Sequence, residues 1–253
     1  MVARNQKPAT ARELMITAAA REIRDDELVF VGMRLPLLAF MLAQATHAGN
    51  AVGLYENGVI RARAAKALLY TMSDPPNIEG ATRTGDMLEV MGLLQAGRVG
   101  LGFVGAAEVD RFGNLNTTRA PQTRLPGSGG ACDIASLSHR LVVLLNHRKH
   151  RFPPQVHYVT SPGFGNGGSW RERVGLARGG PVAVITDLGI LRFDAASKEA
   201  ELASFYSGSP DDVVAQTGWP LRVRGDVHKT LPPSAEELTL LRSLDPDRVW
   251  LGS

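Results

Sequence analysis

Val52-Gly53-Leu54-Tyr55-Glu56-Asn57-Gly58 is the stretch from which the chain is best read. Residues 51–55 form a short apolar run of the kind that makes a buried strand, and Asn57-Gly58 turns the chain sharply. Glu56 therefore falls where a strand gives way to a loop. In open α/β sheets, ligands gather beyond the carboxyl ends of the strands, so a carboxylate held there can be aimed at a substrate. A solvated glutamate in an ordinary surface turn is the plain alternative, since charged residues at turns are mostly just hydrated.

Upstream, Thr10-Ala11-Arg12-Glu13 has capping-box spacing and leads into Leu14, Ile16, Ala18, Ala19 and Ile23, which predicts a helix over 11–24. Residues 28–31 read as a strand, 32–36 as a loop and 37–46 as a second helix, ahead of the strand that reaches Glu56. This alternation predicts an α/β fold, an open and mostly parallel sheet with flanking helices. Downstream, 86–96 has helical spacing and Gly97 is its stop. Residues 99–104, 141–145, 156–160, 182–186 and 190–193 read as strands, and Ser209 and Ser234 open further helices by their cap chemistry. Residues 59–83, with Arg61, Arg63 and Lys66, show no clear period. No repeat or linker breaks the chain, so residues 1–253 read as a single domain.

Composition narrows the function classes. A chain of 253 residues, 44% apolar and 21% charged, can build a sizeable core. One cysteine, Cys132, excludes an internal disulfide framework and fits a reducing compartment. A net charge of only +3, with the basic residues scattered, argues against a dedicated nucleic-acid protein. Residues 28–45 are the most apolar stretch, but Arg34 and Pro36 interrupt them, and residues 1–8 lack a signal-peptide core. The expectation is a cytoplasmic protein with neither a nucleic-acid nor a membrane partner. None of the six histidines stands at zinc-binding spacing, so no metal is expected. His147-Arg148-Lys149-His150-Arg151 is either a solvated loop face or a contact to phosphates. Cys132 reads as a small buried residue rather than a nucleophile.

Gly127-Ser128-Gly129-Gly130-Ala131 is the second informative element. Consecutive glycines let backbone N–H groups approach a phosphate or a developing oxyanion, although a flexible turn has the same composition. The string is neither a dinucleotide fingerprint nor a phosphate loop.

Taken together, these residues resemble the β subunit of class I coenzyme A transferases, of the glutaconate CoA-transferase type. The likeness is carried by Tyr55-Glu56-Asn57-Gly58, by Gly105-Ala106-Ala107-Glu108-Val109-Asp110 with Phe112-Gly113-Asn114-Leu115-Asn116, and by Arg124-Leu125-Pro126-Gly127-Ser128-Gly129-Gly130-Ala131. It continues through Tyr158-Val159-Thr160-Ser161-Pro162-Gly163, Arg171-Glu172-Arg173-Val174-Gly175-Leu176 and Thr186-Asp187-Leu188-Gly189-Ile190-Leu191. The order and joint presence of the six pieces make it specific.

The resemblance implies the open α/β sheet of the coenzyme A transferase fold. It implies that Glu56 is the catalytic glutamate and that Gly129 and Gly130 lie beside the reacting carbonyl. It further implies a separate α subunit in an α2β2 or higher hetero-oligomer, with the active site between the subunits. Acyl-CoA and a free carboxylic acid, of dicarboxylate type, would be the substrates; coenzyme A enters as a thioester substrate and no cofactor is bound permanently. Arg61, Arg63 and Lys66 match no motif of the family. Relatives on this scaffold that lack the glutamate hydrolyse or decarboxylate CoA thioesters, which is the competing reading. A third reading is a ligand-sensing module like those of some sugar-responsive repressors. Such modules follow a DNA-binding helix-turn-helix, and only about ten residues precede the first helix expected here.

Overall fold

A computed structural model of the chain describes residues 7–176 and 178–252. The single domain expected over 1–253 is thus covered except for residues 1–6, 177 and 253, which lie outside the described residues. The elements run α1 (Ala11–Ala20), β1 (Leu28–Phe30), α2 (Leu35–Thr46), β2 (Val52–Leu54), β3 (Val59–Arg61), α3 (Pro75–Ile78), β4 (Arg83–Thr84), α4 (Met87–Gln95) and β5 (Leu101–Gly105). Four two-residue strands follow, β6 (Glu108–Val109), β7 (Leu115–Asn116), β8 (Arg119–Ala120) and β9 (Thr123–Arg124), then α5 (Ala131–Leu137) and β10 (Arg140–Leu144). The chain continues through α6 (Trp170–Arg173), β11 (Pro181–Ile185), β12 (Gly189–Phe193), β13 (Ala200–Phe205), α7 (Pro210–Ala215), β14 (Arg222–Lys229) and α8 (Ala235–Leu244).

Ten strands make one sheet in the order β14-β13-β12-β11-β10-β5-β1-β2-β3-β4. The central five, β11 to β2, are parallel, while β3 and β4 add antiparallel on one side and β12 turns antiparallel on the other. The mostly parallel α/β sheet expected from the alternation is present. Apolar side chains fill both faces: α1, α2 and α8 pack in one core cluster and α4, α5 and α7 in the other. α2 is apolar nearly all round because it is buried nearly all round, from Pro36 to Ala43.

Local chemistry explains the boundaries. Thr10 and Glu13 form the expected capping box at α1. The helix ends at Ala20, short of the expected 24, because residues 21–27 fold into turns, with Asp26 at φ +60 and the Arg24 N–H donating to Glu27. The strand expected over 156–160 is absent. There the N–H groups of Val156 and His157 donate to the buried carboxylates of Asp110 and Glu108 instead of to a ladder. Four sheet strands had no clear signal: β3 and β4 lie at the two ends of the unread segment 59–83, β14 is an edge strand with mostly exposed side chains, and β13 alternates small and charged residues with apolar ones.

Candidate active site

The sheet reverses its winding beside β1: the chain passes from β1 to β2 on one side, and β5 lies on the other. The space beyond the carboxyl ends of β1 and β5 is where open α/β sheets hold ligands. Glu56 is brought to this place by the β2–β3 hairpin. Tyr55 is fully buried and anchors the turn; its N–H donates to the Val59 carbonyl (2.9 Å) and its own carbonyl accepts from the Gly58 N–H (2.9 Å). Gly58 sits at φ +94, a backbone state that costs side-chain-bearing residues, so the Asn-Gly pair is what allows Glu56 to project. Glu56 itself is half-buried.

The Gly-rich loop meets it from the opposite side. Gly127 and Gly129 take left-handed backbone angles, φ +102 and +50, and Gly130 precedes α5. The Gly130 N–H donates to Glu56 Oε1 at 3.0 Å. A Cβ on Gly130 would come 3.0 Å from the same oxygen, so only glycine permits this approach without displacement. Two motifs 74 residues apart are thus joined by one charge-assisted hydrogen bond. The junction opens into a cleft of about 260 Å³, walled by Gly32 after β1, Phe103 and Gly105 of β5, Met72 and Thr117. A second cleft of about 330 Å³ adjoins it across Gly32, Phe103 and Gly105, and Arg34 and Arg151 lie on its wall.

The residues of the unread segment 59–83 have structural positions. The Arg61 guanidinium is buried and donates to the carbonyls of Arg63 (2.9 Å), Pro76 (3.2 Å), Asn77 (2.6 Å) and Glu79 (3.0 Å). The amides of Asn57 and Asn77 both donate to the Met72 carbonyl at 2.7 Å, which fixes Met72 in the cleft wall. Arg63 and Lys66 are exposed and do not line the Glu56 cleft.

The basic run 147–151 divides by residue. His147 is fully buried and stacked on Phe152 with ring centroids 3.9 Å apart, and its ring nitrogens lie 3.2 and 3.0 Å from the hydroxyls of Thr186 and Thr217. Burial drives its pKa down to about 4, with Asp187 pulling the other way. Arg151 donates to the carbonyls of Ala106 and Ala107, holding the chain that leaves β5. Burial and the neighbouring Asp133 push the Cys132 thiol up, which is the opposite of what an activated nucleophile needs. Among the described residues, no group of three or more His, Cys, Asp or Glu side chains is placed to hold a metal ion, and no helix is long and apolar enough to cross a membrane.

Glu56, Gly129 and Gly130 are therefore brought together beside the cleft. Met72, Phe103 and Thr117 of the cleft wall carried no signal in the sequence, because nothing local marks a residue as lining a cleft beside a distant carboxylate.

The coenzyme A transferase family profile matches residues 12–216. The chain is 38% identical over 245 residues to the second (β) subunit of the 3-oxoadipate CoA-transferase of Pseudomonas knackmussii, covering 93% of each. Its fold superposes on glutaconate coenzyme A-transferase from Acidaminococcus fermentans with a TM-score of 0.89 at 30% identity, covering 96% of this chain and 97% of that one. The decarboxylase AibA/AibB is also similar, with a TM-score of 0.82 at 26% identity, covering 96% of this chain and 99% of that one.

Proposed function

The chain belongs to the coenzyme A transferase family, and from that premise we propose that it is the β subunit of a heteromeric acyl-CoA:carboxylate CoA-transferase with Glu56 as its nucleophile. The observation that carries the reading is the Glu56 carboxylate at the sheet's carboxyl edge, held by the Gly130 N–H beside an open cleft.

The chemistry follows from the residues. A carboxylate is a weak nucleophile, but a thioester is an activated acyl group. Attack by a Glu56 oxygen on the thioester carbon gives a tetrahedral adduct that collapses to a mixed anhydride and expels CoA thiolate. The thiolate returns to the glutamyl carbonyl, forming a glutamyl-CoA thioester and releasing the first acid. A second carboxylate then runs the steps backwards. This is ping-pong covalent catalysis by a positioned carboxylate, with no water consumed. In the resting arrangement Gly130 holds the nucleophile, and the turn through Gly129 keeps side chains away from it.

Two of the similar proteins are named for 3-oxoadipate and glutaconate, both dicarboxylates. Arg34 and Arg151 on the adjoining cleft supply positive charge that suits such an acid. The chain works as a single domain with a separate α subunit, in an α2β2 or higher assembly, and CoA comes and goes as a substrate.

The test is chemical. Incubation of the assembled complex with an acyl-CoA donor and no acceptor should leave the CoA mass on the peptide containing Glu56, and borohydride should reduce that side chain to an alcohol. Glu56→Gln should abolish transfer, because an amide cannot form the anhydride. Wild-type transfer by Glu56→Gln refutes the assignment. Release of free acid without an acceptor, with no adduct, supports instead a thioester hydrolase on the same scaffold.

A further inference from the structure

Residues 111–132 hold three arginines, Arg111, Arg119 and Arg124, and no Asp or Glu. Two of the three meet in the β8–β9 hairpin. Its turn at Pro121-Gln122 makes Arg119 and Arg124 direct cross-strand partners, so their side chains leave the hairpin on one face. Like charges set directly opposite one another repel, and a two-stranded hairpin has little else to hold it. Both side chains are exposed, and neither guanidinium has an ion pair or a hydrogen-bond partner among the described residues. The Arg119 guanidinium lies over the Tyr158 ring, 5.5 Å from its centroid, which steadies its plane and leaves its N–H rim free.

The hairpin is fixed in place beside the Glu56 cleft. Asn116 is fully buried; its amide donates to Glu108 (2.7 Å) and to the Arg119 carbonyl (2.8 Å), and its oxygen accepts from the N–H groups of Thr118 (3.0 Å) and Arg119 (3.3 Å). On the other strand, the Leu125 and Gly127 N–H groups donate to the Thr118 and Thr117 carbonyls, each at 2.8 Å, which ties the hairpin to the Gly-rich loop. Thr117 and Gly127 both lie on the cleft wall. Arg119 is two residues from the first and Arg124 three from the second, so neither backbone stands more than about 11 Å from that wall.

We propose that Arg119 and Arg124 form an anion site for the phosphates of the CoA nucleotide. This rests on the reading of the chain as a CoA-transferase subunit. A CoA thioester carries its reacting carbon at one end of a long pantetheine arm, and its pyrophosphate and 3′-phosphate at the other. With the thioester carbon at Glu56, the arm leaves the cleft over the wall of Thr117 and Gly127 and ends at the hairpin. The phosphates then supply the counter-charge that the chain withholds from the pair. Arginine suits this role, since its planar fork holds phosphate oxygens through paired N–H donors. The pair weakens the free hairpin, and the strain is relieved when an anion sits between the two cations.

The experiment uses the complex of this chain with its α subunit. Succinyl, glutaryl and acetyl donors are tried, each as the CoA thioester, the dephospho-CoA thioester and the pantetheine thioester, which has no nucleotide. The double variant Arg119→Gln, Arg124→Gln should lower kcat/KM for the CoA thioester about tenfold, and match the wild type within about twofold on the pantetheine thioester. Added salt should lower the wild-type kcat/KM on the CoA thioester more than that of the variant. Without substrate, the melting temperature of the variant should equal or exceed that of the wild type, because the like-charge contact is gone. A gap that persists on the dephospho form assigns the pyrophosphate as the anion held, and a gap that closes there assigns the 3′-phosphate; either result supports the site. The proposal is overturned if the variant keeps the wild-type kcat/KM on the CoA thioester or loses as much on the pantetheine thioester. It is equally overturned if the variant no longer co-purifies with the α subunit, which would make the pair a subunit contact. If the wild type transfers CoA from none of the three donors, the transferase reading fails and this proposal falls with it.

Discussion

Gly130→Ala adds one methyl group where the Gly-rich loop meets Glu56. The backbone tolerates it, since Gly130 sits at φ -76 and ψ 1. The space does not. The new Cβ would stand 2.7 Å from Met91 Cε, 3.0 Å from Glu56 Oε1 and 3.2 Å from Glu56 Cδ. The Met91 methyl ends a flexible side chain and can swing aside. The carboxylate cannot keep both its hydrogen bond to the Gly130 N–H and a normal separation of about 3.5 Å from a carbon, so it is pushed off the loop. A hydrogen bond to a charged group is worth about 1.5–3 kcal/mol, which corresponds to roughly 10- to 150-fold in rate if it positions the nucleophile. Gly129→Ala is the matched control. Its Cβ would lie 3.8 Å from Glu56 Oε1, an ordinary contact, but its φ of +50 strains the backbone by about 1–2 kcal/mol. The expected pattern is crossed: Gly130→Ala loses kcat and keeps its melting temperature, and Gly129→Ala loses melting temperature and keeps most of its kcat. Initial rates of CoA transfer and thermal unfolding of the same preparations read both. A wild-type kcat for Gly130→Ala would refute the claim that its N–H holds the nucleophile.

Two further outcomes follow from buried side chains that do not touch the cleft. His147 keeps its ring neutral down to about pH 4, whereas the unfolded chain takes up that proton near 6.5. Stability should therefore fall as pH drops from 6.5 towards 4, by roughly 2 kcal/mol at pH 5, and His147→Gln should flatten that slope in urea titrations at pH 7 and 5; an unchanged slope would exclude His147 as its source. Arg61→Lys leaves several of the four carbonyls around the guanidinium unmet, since a single ammonium cannot span them. It should cost about 2–3 kcal/mol and speed limited proteolysis within 63–79, and resistance equal to wild type would show that the segment holds itself without the guanidinium.

The sequence by itself determined the parts of this protein that depend on a few adjacent residues. The Thr10 and Ser234 caps, the stop at Gly97 and the turn at Asn57-Gly58 are local backbone chemistry, and each stands where its signal lies. The alternation of apolar strands and helices set the α/β class for the same reason. Tertiary structure decided the rest, because it depended on acceptors brought from elsewhere in the chain. Residues 156–160 have strand composition, yet Asp110 and Glu108 take their first N–H groups and no ladder forms. Arg61 stood in a segment with no readable period, and its place is set by four backbone carbonyls that close around it. Glu56 and the Gly-rich loop were each visible as short strings, but the 3.0 Å bond from the Gly130 N–H to Glu56 exists only because parallel strands bring residues 74 apart to one edge of the sheet.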